Sequence, residues 1–365
     1  MFGPTLYTAL SRLPHWTPVA ATGGLLGLFV ILAVALPVDH ESYYVAFAGN
    51  NFLAINDIPR LLQAMGGGDK STVIRQQSCL HPSGTVSSIV STGNGMKSQW
   101  HTSNAIDSET YMTDYGVCSI RQLILGYDDT FYYDNRNGAY ENDGENPCLE
   151  NQEYTDYVKS TMLDNKTLPQ FFVIADQTKR MAFQEYRDDA LYSLMNDYIP
   201  LLKVSGAIPI VVANHGFWST SSNMTGLDDL ASFTSLIYEG ARQYAAQFDK
   251  GLTQRSRIAP VGLAFLTVYE KDLDMWNMLT ASDDIHSSVY GSFLTACVLY
   301  ATITETMPDK SMLNDVKSLY SSVRLTKGEK YGFPNGEEAL FLWKVARKVT
   351  LEGQKPKSFE SYDRF

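Results

Sequence analysis

Five short runs along the chain have strand character: residues 42–48, 71–79, 170–175, 208–213 and 257–265. Each is rich in β-branched, aromatic or small apolar residues, and the first, third and fourth end directly before Gly49, Asp176 and Asn214, residues of the kind that turn a chain. Helical spacing fills the intervals. Leu230, Phe233, Ile237, Ala241, Tyr244 and Phe248 recur on one face of a helix predicted over 227–248, with Asp228 and Asp229 in its first turn. A helix starts at the N-cap Asp57, carries Pro59 in its first turn and closes before Gly66-Gly67-Gly68. Asn56 shares the capping role with Asp57. A shorter helix follows the second strand and ends at Gly93, and an apolar helical run spans 287–300. Short apolar strands separated by amphipathic helices predict an α/β domain, a central parallel sheet covered on both faces in three α/β/α layers.

Two stretches break this rhythm. Residues 100–157 are rich in Tyr, Asp, Asn and Gly without sustained apolar periodicity, and read as an insertion into a single domain spanning 39–365. Within it, Asp134-Asn135-Arg136-Asn137-Gly138 sets Arg where a calcium loop needs an oxygen ligand, so the stretch reads as a solvated acidic loop. At the amino terminus, Trp16 to Val38 holds no charged residue. Roughly 20 apolar residues at about 1.5 Å rise cross the ~30 Å hydrocarbon layer, which makes 19–38 a transmembrane signal-anchor. Arg12 precedes it and Asp39 and Glu41 follow, so residues 1–18 form a cytoplasmic tail and the domain faces a lumen or the outside. Ala33 and Ala35 offer a small-x-small site, leaving a cleaved signal and a secreted domain as the alternative.

Charge and cysteines narrow the classes of function. With 29 Lys+Arg against 40 Asp+Glu the formal net charge is −11, and no basic block offers a footprint for nucleic acid. The four cysteines, Cys79, Cys118, Cys148 and Cys297, form no C-x-x-C pair, which argues against structural zinc, and no motif calls for a cofactor. In an oxidising compartment Cys118–Cys148, bracketing a polar stretch, is the first candidate disulfide among the possible pairings, while Cys297 in its apolar run reads as a packed thiol. Asn165 and Asn223 head glycosylation triplets consistent with that compartment.

In a parallel α/β sheet, ligands sit beyond the carboxyl ends of the strands. The residues found there are Gly49-Asn50-Asn51-Phe52 after the first strand, Asp176-Gln177-Thr178 after the third and Asn214-His215-Gly216 after the fourth. Later comes Asp283-Asp284-Ile285-His286, in which a carboxylate three residues before a histidine can fix the imidazole tautomer and leave Nε2 as a base. The set, with the block from Phe47 to Leu62, Ile174 to Thr178, Pro260 to Phe265 and the D-x-x-H block in that order, resembles the SGNH (GDSL-type) hydrolases. The resemblance covers positions from about 43 to 305. It implies a flavodoxin-like α/β/α fold and an esterase ancestry, with Asp283 and His286 as carboxylate and base. Gly93 or Gly95 would be a backbone oxyanion donor, and Gln177 or Asn214 a side-chain one.

One departure governs the functional expectation. Where the family has its nucleophilic Ser after Gly-Asn, this chain has Asn51, and no Ser, Thr or Cys lies within five residues of it. A carboxamide is a poor nucleophile, so the ordinary acyl-enzyme route closes. The expected function is a membrane-anchored, esterase-like protein that binds an ester, glycan or acylated ligand without ordinary turnover. One alternative is a hydrolase in which the His286/Asp283 pair activates water. A third is a structural module using the Tyr-rich 100–157 stretch as a protein-partner surface.

Overall fold

The computed structural model describes residues 41–68, 72–81, 83–92, 120–125, 168–217, 229–323, 325 and 331–359. Five strands, β1 (Glu41–Gly49), β2 (Thr72–Leu80), β3 (Phe171–Ile174), β4 (Ile208–Val212) and β5 (Arg257–Ala259), form one sheet in the order β2-β1-β3-β4-β5, every neighbouring pair parallel. The order reverses between β1 and β3, the crevice where open α/β sheets place their ligands.

Successive residues of each strand enter different cores, as the period of two requires. Val45, Phe47, Val173, Ile210 and Val212 pack on one side, with α2 (Ile58–Gly68), α9 (Val261–Lys271), α11 (Val289–Thr304) and α13 (Gly336–Thr350). Ala46, Ala48, Phe172, Ile174 and Val211 pack on the other. There they meet α3 (Val86–Thr92), α4 (Ile120–Leu125), α5 (Thr178–Ala182), α6 (Gln184–Ser193), α7 (Ile199–Ser205) and α8 (Leu230–Gly251). The short helices α1 (Asn51–Ala54), α10 (Leu273–Met278) and α12 (Val316–Leu319) complete the element order. This is the α/β architecture that the hydrophobic pattern predicts. α11 is buried along its whole length, lying against α2, α9, α13 and β5. Each fully buried large apolar side chain it contributes, such as Phe293 or Leu294, stabilises the fold by roughly 1.5–3 kcal/mol.

Three local differences from the sequence reading have physical causes. The helix after Asp57 does not stop before its glycines but runs through Gly68; at Gly66 a Cβ would come within 2.8 Å of the Ile74 nitrogen, so glycine lets α2 lie close on β2. The run 257–265 is a strand only to Ala259, and Pro260 is the N-cap of α9. Val261 to Val268 are all buried, and a fully buried run carries no periodicity to separate strand from helix. The stretch read as an insertion contains α4, whose Ile120, Leu123 and Ile124 are buried in the core beside α3 and α7.

Among the described residues no helix is long and apolar enough to cross a membrane, and the 19–38 segment lies outside them. So do Cys118, Cys148, Asn165, Asn223, Gly93 and Gly95. Cys79 and Cys297 are free, buried thiols whose pKa burial pushes up, which leaves them inert.

Candidate functional site

The strand ends on either side of the β1/β3 crevice build the site. β1 closes on Gly49, where a Cβ would come within 2.9 Å of Leu53 Cδ1 and 3.2 Å of Ala175 Cβ; glycine therefore allows the sharp entry into α1. Asn50 is the N-cap of α1: its Oδ1 accepts from the Phe52 N–H (3.2 Å) while its Nδ2 donates to the Gly84 carbonyl (3.0 Å). One buried side chain thus fixes both the first helical turn and the loop after β2. Asn51 stands at the start of α1 on the cavity wall, with its Oδ1 buried and without a hydrogen-bond partner among the described residues.

The loop after β2 turns through Ser83, a non-glycine residue at φ 57°, and Gly84 N–H donates back to the His81 carbonyl (2.9 Å). Gln177, at the end of β3, donates its side-chain amide to the Ser83 carbonyl. Beside it Asp176 is fully enclosed. Its Oδ1 accepts from the Gln177 N–H (2.8 Å) and the Val86 N–H (3.2 Å), and its Oδ2 accepts from the Tyr244 hydroxyl (2.8 Å). Burial pushes the Asp176 carboxyl pKa up, although these three donors and the Arg180 charge act against it.

The histidine arrives on the segment between α10 and α11. An antiparallel bridge between Thr280 and Ser287 closes that segment, and Asp284 makes the tight turn at φ 57°. Asp283 Oδ1 accepts from the backbone N–H groups of Ile285 (3.0 Å) and His286 (2.9 Å). Its Oδ2 accepts from His286 Nδ1 at 2.6 Å, which in the neutral imidazole makes Nε2 the basic nitrogen. Desolvation tends to raise the Asp283 pKa, but the hydrogen bonds from His286 and the two backbone groups outweigh it and hold the carboxyl below its usual range. A contact of this length orients the ring.

Asn56 does not cap α2. It is buried at φ 55° and its Nδ2 reaches the Ser287 carbonyl and Ser292 Oγ, both at 3.2 Å, tying the β1 side of the site to the histidine segment. Asp57 does act as a cap, accepting from the Arg60 N–H (3.3 Å) and pairing with the Arg60 guanidinium (3.2 Å).

The result is a cavity of about 240 Å³. Of the residues anticipated from the sequence, Asn51, Gln177 and His286 line it together, with Asp283 behind the histidine. Asn214 does not join them: it is buried, and its amide donates to the Asp176 carbonyl (2.8 Å). Ser83, Lys179, Phe217 and Ile285 also line the cavity and were not singled out in advance. Ser83 was within reach of the strand-end rule, since it lies in the turn directly after β2, whereas Gly93 lies beyond the next helix. His215, another residue after a strand, is buried away from solvent and stacked on Phe265 (4.1 Å, 5°). Its Nε2 donates to the Ile285 carbonyl (3.0 Å), and burial brings its pKa down to about 4, so it stays neutral at pH 7. Among the described residues no group of three or more His, Cys, Asp or Glu is arranged to hold a metal ion.

No family model matches the sequence, and no curated protein matches it. Among solved structures, a DUF4886 family protein from Bacteroides uniformis is similar over 88% of this chain and 99% of its own, at 10% identity and a TM-score of 0.49. A proposed SGNH hydrolase from Slackia heliotrinireducens is similar over 72% of this chain and 99% of its own, at 15% identity and a TM-score of 0.40.

Proposed function

We propose that the cavity is an SGNH-type acyl-ester site that has lost ordinary serine acyl transfer and binds an ester, glycan or acylated ligand. The observation that carries this reading is the pairing of an oriented base, His286 on Asp283 at 2.6 Å, with a carboxamide, Asn51, at the strand end facing the same cavity. The base has the form needed to take a proton from a hydroxyl, and residue 51 offers none. The same oriented base favours a second reading, slow hydrolysis in which His286 activates water directly. On either reading the apolar segment 19–38 anchors the domain to a membrane, which alkaline extraction of membranes from cells making the full chain would test.

The deciding experiment measures binding and hydrolysis of short- and long-chain acyl esters and acetylated sugars by the natural chain, Asn51→Ser and His286→Ala. Binding without turnover in the natural chain, with turnover appearing in Asn51→Ser, is the expected result. Turnover by the natural chain that vanishes in His286→Ala would select the water-activating reading. Neither binding nor turnover in folded proteins would overturn both.

A further inference from the structure

We infer that the cavity takes a small anionic ester, with Lys179 selecting the negative charge; this rests on the ester-site reading above. The chain as a whole repels anions, at a net charge of −11, yet among the described residues the cavity wall carries a lysine and neither an Asp nor a Glu. Lys179 projects from α5, half-buried, and its ammonium has no ion-pair or hydrogen-bond partner among the described residues. Its cationic neighbours are already engaged. Arg180 pairs with Asp189 (3.2 Å), and Arg187 donates to the carbonyls of Met181 (2.8 Å) and Ala182 (3.3 Å). A partly desolvated cation facing a cavity gains most from an anion that enters it.

Phe52 and Phe217 add apolar wall for a sugar face or a short acyl group. At about 240 Å³ the space falls below the roughly 300–1,000 Å³ of drug-sized pockets, so the occupant is small. An acylated sugar acid and an acylated sugar phosphate share the required chemistry.

The test is calorimetric titration of the full chain with four matched probes: an O-acetylated hexuronic acid, its deacetylated form, an O-acetylated hexose phosphate and the acetylated neutral hexose. Either or both anions should bind on the order of tenfold tighter than the neutral probe, and the preference should shrink as salt is raised. Which anion wins separates carboxylate from phosphate. The preference should disappear in Lys179→Met and reverse in Lys179→Glu, with Lys179→Gln and a thermal melt guarding against misfolding. Equal affinity for neutral and charged esters, or a preference that survives Lys179→Met, overturns the anion inference and leaves the ester site standing. If the deacetylated hexuronic acid binds as tightly as its ester, the charge preference holds and the ester reading fails. No binding of any probe sinks both.

Discussion

Two Asp and His sets stand at the carboxyl ends of this sheet, and burial separates their chemistry. Asp283 and His286 bond to each other at 2.6 Å on the rim, with side chains 47% and 22% exposed. Asp176 and His215 are 1% and 2% exposed and serve other partners: Asp176 gathers Tyr244, Val86 and Gln177, while His215 holds the Ile285 carbonyl. The rim carboxyl is held below its usual pKa by its hydrogen bonds, whereas burial pushes Asp176 up and His215 down to about 4. In the interior the charged forms are disfavoured, His215 stays neutral at pH 7, and both groups serve as scaffolding. At the rim the charge survives and can assist a proton transfer. On the proposed reading, identical residue types therefore supply chemistry in one place and stiffness in the other.

The largest effect that tests this contrast is catalytic. In an Asn51→Ser background, His286→Ala should lower ester hydrolysis by ~10²–10⁴-fold while costing no more than about 1 kcal/mol of unfolding free energy, since the removed ring lies at the rim and is part-exposed. A stopped assay with urea melts reads both numbers. A large stability loss without a rate effect would make the rim pair scaffolding too.

Next in size is Asp176. Asp176→Ala leaves the Tyr244 hydroxyl and two backbone N–H groups without their acceptor, and should cost about 2–4 kcal/mol. Asp176→Asn keeps an acceptor for the two backbone N–H groups and lets the Tyr244 hydroxyl turn to accept from the new amide, so it should cost under about 1 kcal/mol. If Asn were as damaging as Ala, the interior carboxyl would be working as an anion and the contrast with Asp283 would be lost.

His215 gives a pH-dependent counterpart. Its folded pKa, about 4, lies below the unfolded value near 6.5. Between those values the unfolded chain binds the proton and the folded chain does not. Stability is therefore present in full above about pH 6.5 and is lost as pH falls toward 4, by up to about 3 kcal/mol. His215→Gln keeps an N–H donor for Ile285 and removes the titration. Chemical melts at pH 7 and pH 4 should show the natural chain losing more stability than the variant; equal losses would mean that His215 is protonated in place.

How far these roles could be read in advance depends on what each residue needs from distant chain. All five strands, the parallel sheet and the Asp283–His286 pair were legible, because alternation and a three-residue spacing are local properties. Asn51 and Gln177 followed from the strand-end rule. Asn56 was misread, since its partners Ser287 and Ser292 lie more than two hundred positions away and a capping residue looks the same on paper. Asn214 shows the same limit: whether its amide faces the cavity or the Asp176 carbonyl is set by packing. Lys179 and Ser83 escaped notice because a cavity wall is a property of the assembled fold.

The smallest test concerns Phe52, whose ring meets both histidines: edge-on to His215 at 5.5 Å and tilted to His286 at 5.7 Å. It stands next to Asn51 on α1, so the turn that presents residue 51 also inserts a ring between the rim pair and the buried one. The two histidines also sense each other, because a charge on His286 disfavours one on His215. Phe52→Leu removes the aromatic contacts at a cost of about 0.5–1.5 kcal/mol and allows the His286 ring more freedom. Ligand affinity or residual hydrolysis should fall by only a few-fold, with the acid-side stability loss assigned to His215 unchanged. That outcome would mean the pairs are separate devices sharing a wall. If Phe52→Leu moved the stability profile and the ester chemistry together, the rim and the interior would form one coupled cluster, and burial alone would no longer account for their difference.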